Sequence, residues 1–240
     1  MPTITRLPCE VVACIFQKFD HIHCLLPSIL TCRHFYSSYK ESPSLALDIL
    51  HCQIGQALLP YSIALFEASR MTRTRSSIQK LLDTLYNEPA VLPQRLLDIP
   101  LSGLIEMGDT HDLVKNFVDA FASDAWSLVL SHIPDHGHGQ ADSLVLSPTG
   151  RFRFYLAFYR VELFMRLFRD DSTQVLGTFE DEQVDMFLSR PPPWVNEQLG
   201  CVHDYIEKGF SRASASRHVL AHNIEFGELS IDYITNGPEN

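Results

Sequence analysis

The chain has 240 residues, a formal net charge of −10, 45 % hydrophobic residues and 20 % charged residues, the balance of a globular protein with room for one large or two small domains. The acidic excess argues against a protein that coats itself along nucleic acid or an anionic membrane, and it suits a cationic ligand, because a carboxylate takes a guanidinium bidentately. No apolar run reaches the length of a transmembrane helix, and Met1 to Thr5 lack the charged start and apolar core of a signal peptide.

Six cysteines (Cys9, Cys14, Cys24, Cys32, Cys52 and Cys201) contain no CxxC pair. They read as reduced, mostly buried thiols, so neither structural zinc nor a disulfide framework is expected and a cytoplasmic location is.

In chain order, residues 4–50 read as three short helices. Val11, Val12, Ile15, Phe16 and Phe19 have helical spacing, Asp20-His21 breaks it, and Leu25, Leu26, Ile29 and Leu30 start a second helix that runs into Thr31 to Phe35. Pro43 opens a third apolar segment, Leu45 to Leu50. Ile54, Leu58, Leu59, Ile63, Leu65 and Phe66 continue the helical pattern, with Pro60 as a turn. Arg70, Arg73 and Arg75 form a basic run, read as a solvated helix end or a phosphate contact. Ile78, Leu81, Leu82 and Leu85 are the inner face of a further helix. Pro89, Pro93 and Pro100 punctuate a connection, after which a short helix from Leu101 to Met107 is expected to end at Gly108-Asp109. Asp112 to His132 is a separate amphipathic helix with a stripe of Leu113, Phe117, Phe121, Trp126, Leu128, Val129 and Ile133. His132 to Gly139 is rich in histidine, but its glycines and proline make it a loop rather than a metal site.

Residues 151–169 are apolar nearly all round, as in a helix buried on most sides. Glu162 stands four residues before Arg166, a favourable pair. Arg160 keeps its charge at any ordinary pH and needs a partner. The favoured partner is a carboxylate from residues 197–205; the alternative is a bound phosphate or carboxylate. An acidic loop over 170–182 and a short helix over Gln183 to Leu188 follow. Pro191 to Pro193 then end whatever precedes them, and a new helix starts near Trp194. On it Glu197, Cys201, Asp204 and Tyr205 share one face, with Asn196, Gly200 and His203 beside them. Ser211 to His218 is a linker or an exposed helix. Val219 to Tyr233, with His222, Glu225 and Glu228, is expected to fold back on the 194–205 helix, and residues 235–240 are expected to be disordered.

These elements predict an all-α protein: a single helical domain whose residues 1–50 pack on a body of residues 51–234. The 194–205 helix reads either as a site or as a hydrogen-bonded scaffold. As a site, Glu197, Cys201, His203, Asp204 and His222 are the catalytic candidates. Cys201 is a nucleophile, a histidine the base, and His222 the easier partner because residues two apart on a helix do not face each other. Trp194, Asn196, Glu225, Glu228, Arg153 and Arg160 are the substrate-binding candidates. No metal or cofactor is expected. No Gly-rich phosphate loop, GxSxG elbow, HExxH or repeat is present.

Two resemblances attach to these residues. Leu7-Pro8-x-Glu10, Ile15-Phe16, Leu25-Leu26 and Leu30-x-Cys32-Arg33-x-Phe35 resemble an F-box, the helical motif by which adaptors bind Skp1 in SCF-type ubiquitin ligases. The chain departs from it at His21, His23 and Cys24, where an aspartate or charged turn is usual, so Skp1 binding is expected to be weak or absent. By size and general look the whole chain is similar to the fungal arginine-containing cyclodipeptide synthases of specialised metabolism. That resemblance implies condensation of arginine from arginyl-tRNA with a second amino acid, an aminoacyl transfer that needs no ATP site. The polar cluster lies outside the F-box-like segment, so the sequence places the enzyme first and the adaptor second.

Overall fold

Helix α8 (Pro148–Phe168) is the element on which the others close. The computed structural model describes residues 7–131, 146–168 and 181–215. Within them every regular element is a helix, so the all-α class holds. Tyr155, Phe158, Tyr159, Leu163 and Leu167 of α8 are buried, and α5 (Leu59–Ala68), α7 (Leu101–Ser131) and α10 (Pro193–Ala215) pack around it. The central position expected for residues 151–169 is observed over the described part, 151–168. A stretch apolar nearly all round its axis has no face to offer water, so it goes inside.

The N-terminal segment is α1 (Cys9–Phe16), a 3-10 turn (Ile22–Cys24), α2 (Leu25–Leu30) and α3 (Arg33–Lys40). Val12, Phe16, Leu25 and Ile29 turn inward. Helix α4 (Leu45–Ile54) follows, and Gly55 at φ 80° ends it, a conformation that glycine adopts without steric cost. The chain bends there by 108° into α5. Pro60 lies inside the first turn of α5 rather than between helices, where its missing N–H would have no helical partner anyway. Helix α6 (Arg75–Asn87) opens on a capping box in which Thr74 Oγ1 accepts from Ser77 N and Ser77 Oγ accepts from Thr74 N. A 3-10 stretch (Pro89–Asp98) leads to α7, and α9 (Asp181–Leu188) precedes the proline run before α10. One hydrophobic cluster runs from Val12 to Val202, so the N-terminal segment and the body share a core. The histidine-rich loop, the acidic stretch over 170–180, the 219–233 fold-back and the tail lie outside the described residues.

The expected break at Gly108 is absent: α7 is continuous from Leu101 to Ser131. Gly108 is there for space. A Cβ at this position would stand 2.4 Å from Ile22 Cγ2 and 3.0 Å from Gln53 Oε1. The bare backbone lets the Ile22 turn and α4 approach α7, and the Gly108 carbonyl accepts from Gln53 Nε2 at 3.1 Å. Gln53 in turn accepts from Ile22 N at 3.0 Å. Replacing glycine by alanine inside a helix ordinarily gains about 1 kcal/mol; overpacking costs about 1–3 kcal/mol. Gly108→Ala is therefore expected to lower stability by up to about 2 kcal/mol in urea denaturation. A gain would mean that the contact relaxes freely.

On the inner side of α7, His111 is 5 % exposed. Its ring stacks on Tyr155 at 5.2 Å, and its Nδ1 is 3.1 Å from Tyr159 Oη. Burial is the largest cause that lowers its pKa from 6.5 to about 4. The unfolded chain therefore takes up this proton at a higher pH than the native one. Stability from the neutral ring is complete above about pH 6.5 and is lost as pH falls towards 4, by roughly 3 kcal/mol. His111→Phe keeps the stacking and removes the titration. It is expected to flatten melting temperature against pH over that window, and an unchanged acid limb would assign the loss to other groups.

Candidate functional site

Helix α10 separates the residues that the sequence grouped together. Glu197, Cys201, His203 and Asp204 are exposed, and Trp194 is 63 % exposed. Cys201 and His203 do not pair; His203 Nδ1 instead faces Asp204 Oδ1 at 3.9 Å. Tyr205, expected on the Glu197 face, turns to α7: its hydroxyl donates to Asp124 Oδ2 at 3.0 Å and its ring meets Phe121 edge-on at 4.8 Å. The inner side of α10 is carried by Asn196, Leu199, Val202 and Tyr205, and the exposed carboxylates lie opposite. A polar stripe on a helix that already buries its apolar stripe faces water. His222, Glu225 and Glu228 lie outside the described residues. Arg153 is exposed.

Arg160 and Asn196 do meet. Arg160 is 1 % exposed. Its Nε donates to Tyr86 Oη at 3.2 Å, Nη1 to Val195 O at 2.9 Å, and Nη2 to Asn196 Oδ1 at 3.0 Å. Its guanidinium carbon lies 5.5 Å from the centre of the Phe187 ring, within cation–π range. The carboxylate partner expected from residues 197–205 is not what holds it: three neutral acceptors do. Glu162, the acid nearest in sequence, is taken by Arg166 at 2.6 Å, as the four-residue spacing predicts. Asn196 is fixed at both ends, since its Nδ2 donates to Leu188 O at 2.8 Å. It ties the end of α9 and the start of α10 to the middle of α8.

Beside this network opens a cleft of about 540 Å³ whose lining includes Tyr61, Asp83, Tyr86, Arg160 and Arg190. Arg190 Nη2 donates to Asp83 Oδ1 at 2.8 Å, and its Nη1 donates to Met186 O. Burial is the main cause that pushes the Tyr61 phenol up to about 12. Sequence reasoning found Arg160 but missed the rest of this wall. The signal was present in part: Asp83, Tyr86 and Asn87 are three and four apart, at the edge of the α6 inner face. Of the basic run, Arg70 is engaged by Glu106 at 2.6 Å and lies over Phe66, 3.8 Å from the ring centre.

Among the described residues, two groups could offer three ligand atoms to a metal ion: His21, His23 and Asp112, and the exposed His203, Asp204 and Glu207. In the first, His21 Nδ1 is 2.8 Å from Asp112 Oδ2, a contact that joins the N-terminal segment to α7.

Comparison with known proteins finds no family model, no curated protein and no solved structure that matches the chain.

Removing the Arg160 donors leaves buried acceptors without partners, each at a cost of about 1–3 kcal/mol. Arg160→Met is expected to lower stability by about 3 kcal/mol or more by urea midpoint. Glu197→Gln, at an exposed site, is expected to shift it by less than about 0.5 kcal/mol. Equal effects would refute the division of α10 into an anchored inner side and a free outer one.

Proposed function

We propose that the chain is an F-box-type adaptor whose N-terminal helices dock a Skp1-like subunit and whose helical body recognises a target. The observation that carries this reading is the two-sidedness of those helices. While Val12, Phe16, Leu25 and Ile29 face the core, Leu7, Val11 and Ile15 are 36 %, 43 % and 40 % exposed, and Leu26 and Leu30 are 41 % and 71 % exposed. The spacing of four places Val11 and Ile15 along the outer side of α1 and Leu26 and Leu30 along that of α2, with Leu7 just before α1. Grouped exposed apolar side chains of this kind mark interaction sites. The histidines that depart from the F-box pattern have a use within the chain: His21 pairs with Asp112, and His23 Nδ1 lies 3.9 Å from both Asp109 and Asp112. They face α7 and leave the outer apolar residues unobstructed, which weakens the sequence-based argument against docking.

A second reading is aminoacyl-tRNA-dependent cyclodipeptide synthesis, with arginyl-tRNA as a substrate. One observation favours it, the small-molecule-sized cleft beside Arg160. It ranks second because the exposed Glu197, Cys201, His203 and Asp204 are not among the residues that line the cleft.

The test is co-purification of the full chain with Skp1. A stoichiometric complex is expected, weakened at least about 100-fold by Leu26→Glu with Leu30→Glu, since each buried leucine contributes about 1.5–3 kcal/mol. The melting temperature of that variant should be unchanged, because both side chains are exposed. Absence of a complex would overturn the adaptor reading. New arginine-containing cyclic dipeptides, found by mass spectrometry in an expressing host, would put the synthase in its place.

A further inference from the structure

The cleft beside α10 carries an imbalance of charge that the adaptor reading does not use. Two guanidiniums, Arg160 and Arg190, line it against one carboxylate, Asp83. Asp83 is already held by Arg190 at 2.8 Å. Arg160 therefore stands 1 % exposed with no carboxylate within salt-bridge distance among the described residues. Three of its five N–H groups reach the neutral acceptors Tyr86, Val195 and Asn196. A buried guanidinium without a counter-charge is a costly arrangement, and an anion of matching geometry relieves it.

The neighbouring hydroxyls point the same way. Tyr86 Oη accepts from Arg160 Nε, so its own proton is directed elsewhere and is free to donate. The Tyr61 phenol, pushed up to about 12 chiefly by burial, is a neutral donor at physiological pH. Its hydroxyl has no hydrogen-bond partner among the described residues. Leu156, Pro191 and Pro192 supply apolar wall. The volume of about 540 Å³ lies in the range of small-molecule sites.

We infer that this cleft binds a small anionic molecule, with a carboxylate or phosphate group against Arg160, the Tyr61 and Tyr86 hydroxyls as further donors, and an apolar body against Leu156 and the prolines. The inference is independent of Skp1 docking, since the two surfaces share no residue.

Isothermal titration of the full chain with inorganic phosphate and, separately, with benzoate tests it, against a chloride control of equal ionic strength. Saturable one-to-one binding of at least one probe is expected. Phosphate alone would identify a phosphate ligand and benzoate alone a carboxylate. Tyr61→Phe removes one donor and no internal hydrogen bond, and it is expected to weaken binding about tenfold, the effect of one hydrogen bond to a charged group. Arg160→Lys, which keeps the charge and loses the planar fork, should weaken it further if the variant folds. Binding of neither probe above the chloride control, or an affinity unchanged in Tyr61→Phe, would overturn the site.

Discussion

The burial of one permanent positive charge organises the middle of this protein. Arg160 sits on the helix around which α5, α7 and α10 pack, at a depth where solvent reaches 1 % of it. A guanidinium cannot become neutral to escape such a place, so the surrounding backbone and side chains are arranged to accept from it. Tyr86 comes from α6, Val195 and Asn196 from the first turn of α10, and the Phe187 ring from α9. Three helices are thus registered against one side chain of a fourth. Hydrophobic packing alone is non-directional and would leave the helices freer to slide; directional hydrogen bonds fix where α10 begins relative to α8.

The same logic explains the triple proline before α10. Proline suits the first turn of a helix and does not continue the one before it. The break lets α9 end and α10 start within a few residues, so that Asn196 can accept from Arg160 while donating to Leu188 O. The cleft lies where these elements meet α5 and α6, and its polarity follows from the guanidiniums that the junction has to accommodate.

At the other end of the chain the constraint is apolar. The N-terminal helices are too short to stand alone, and they are held by a core that continues into α4, α5 and α7. The bare backbone of Gly108 and the His21–Asp112 contact make that junction close. What remains on the outer sides of α1 and α2 is hydrophobic surface that the fold does not use.

The helical class, most helix locations, the buried character of α8, the Glu162–Arg166 pair and the start of α10 were legible along the chain. These are local consequences: periodicity, proline geometry and four-residue spacing act within a few turns of chain. The sequence also singled out Arg160 as a charge in need of a partner. It could not say which partner, because Tyr86 and Asn196 lie 74 and 36 residues away and only packing brings them together. The long α7 was hidden for a related reason. Gly108 reads as a helix breaker along the chain, and only the approach of Ile22 and Gln53 turns it into a space-maker. Glu197, Cys201 and Asp204 do share a face of α10, but Tyr205, grouped with them by spacing, does not, because which side of a helix meets the core is decided by the neighbours. Here α7 and α8 took the side of Asn196, Val202 and Tyr205 and left Glu197, Cys201 and Asp204 to water.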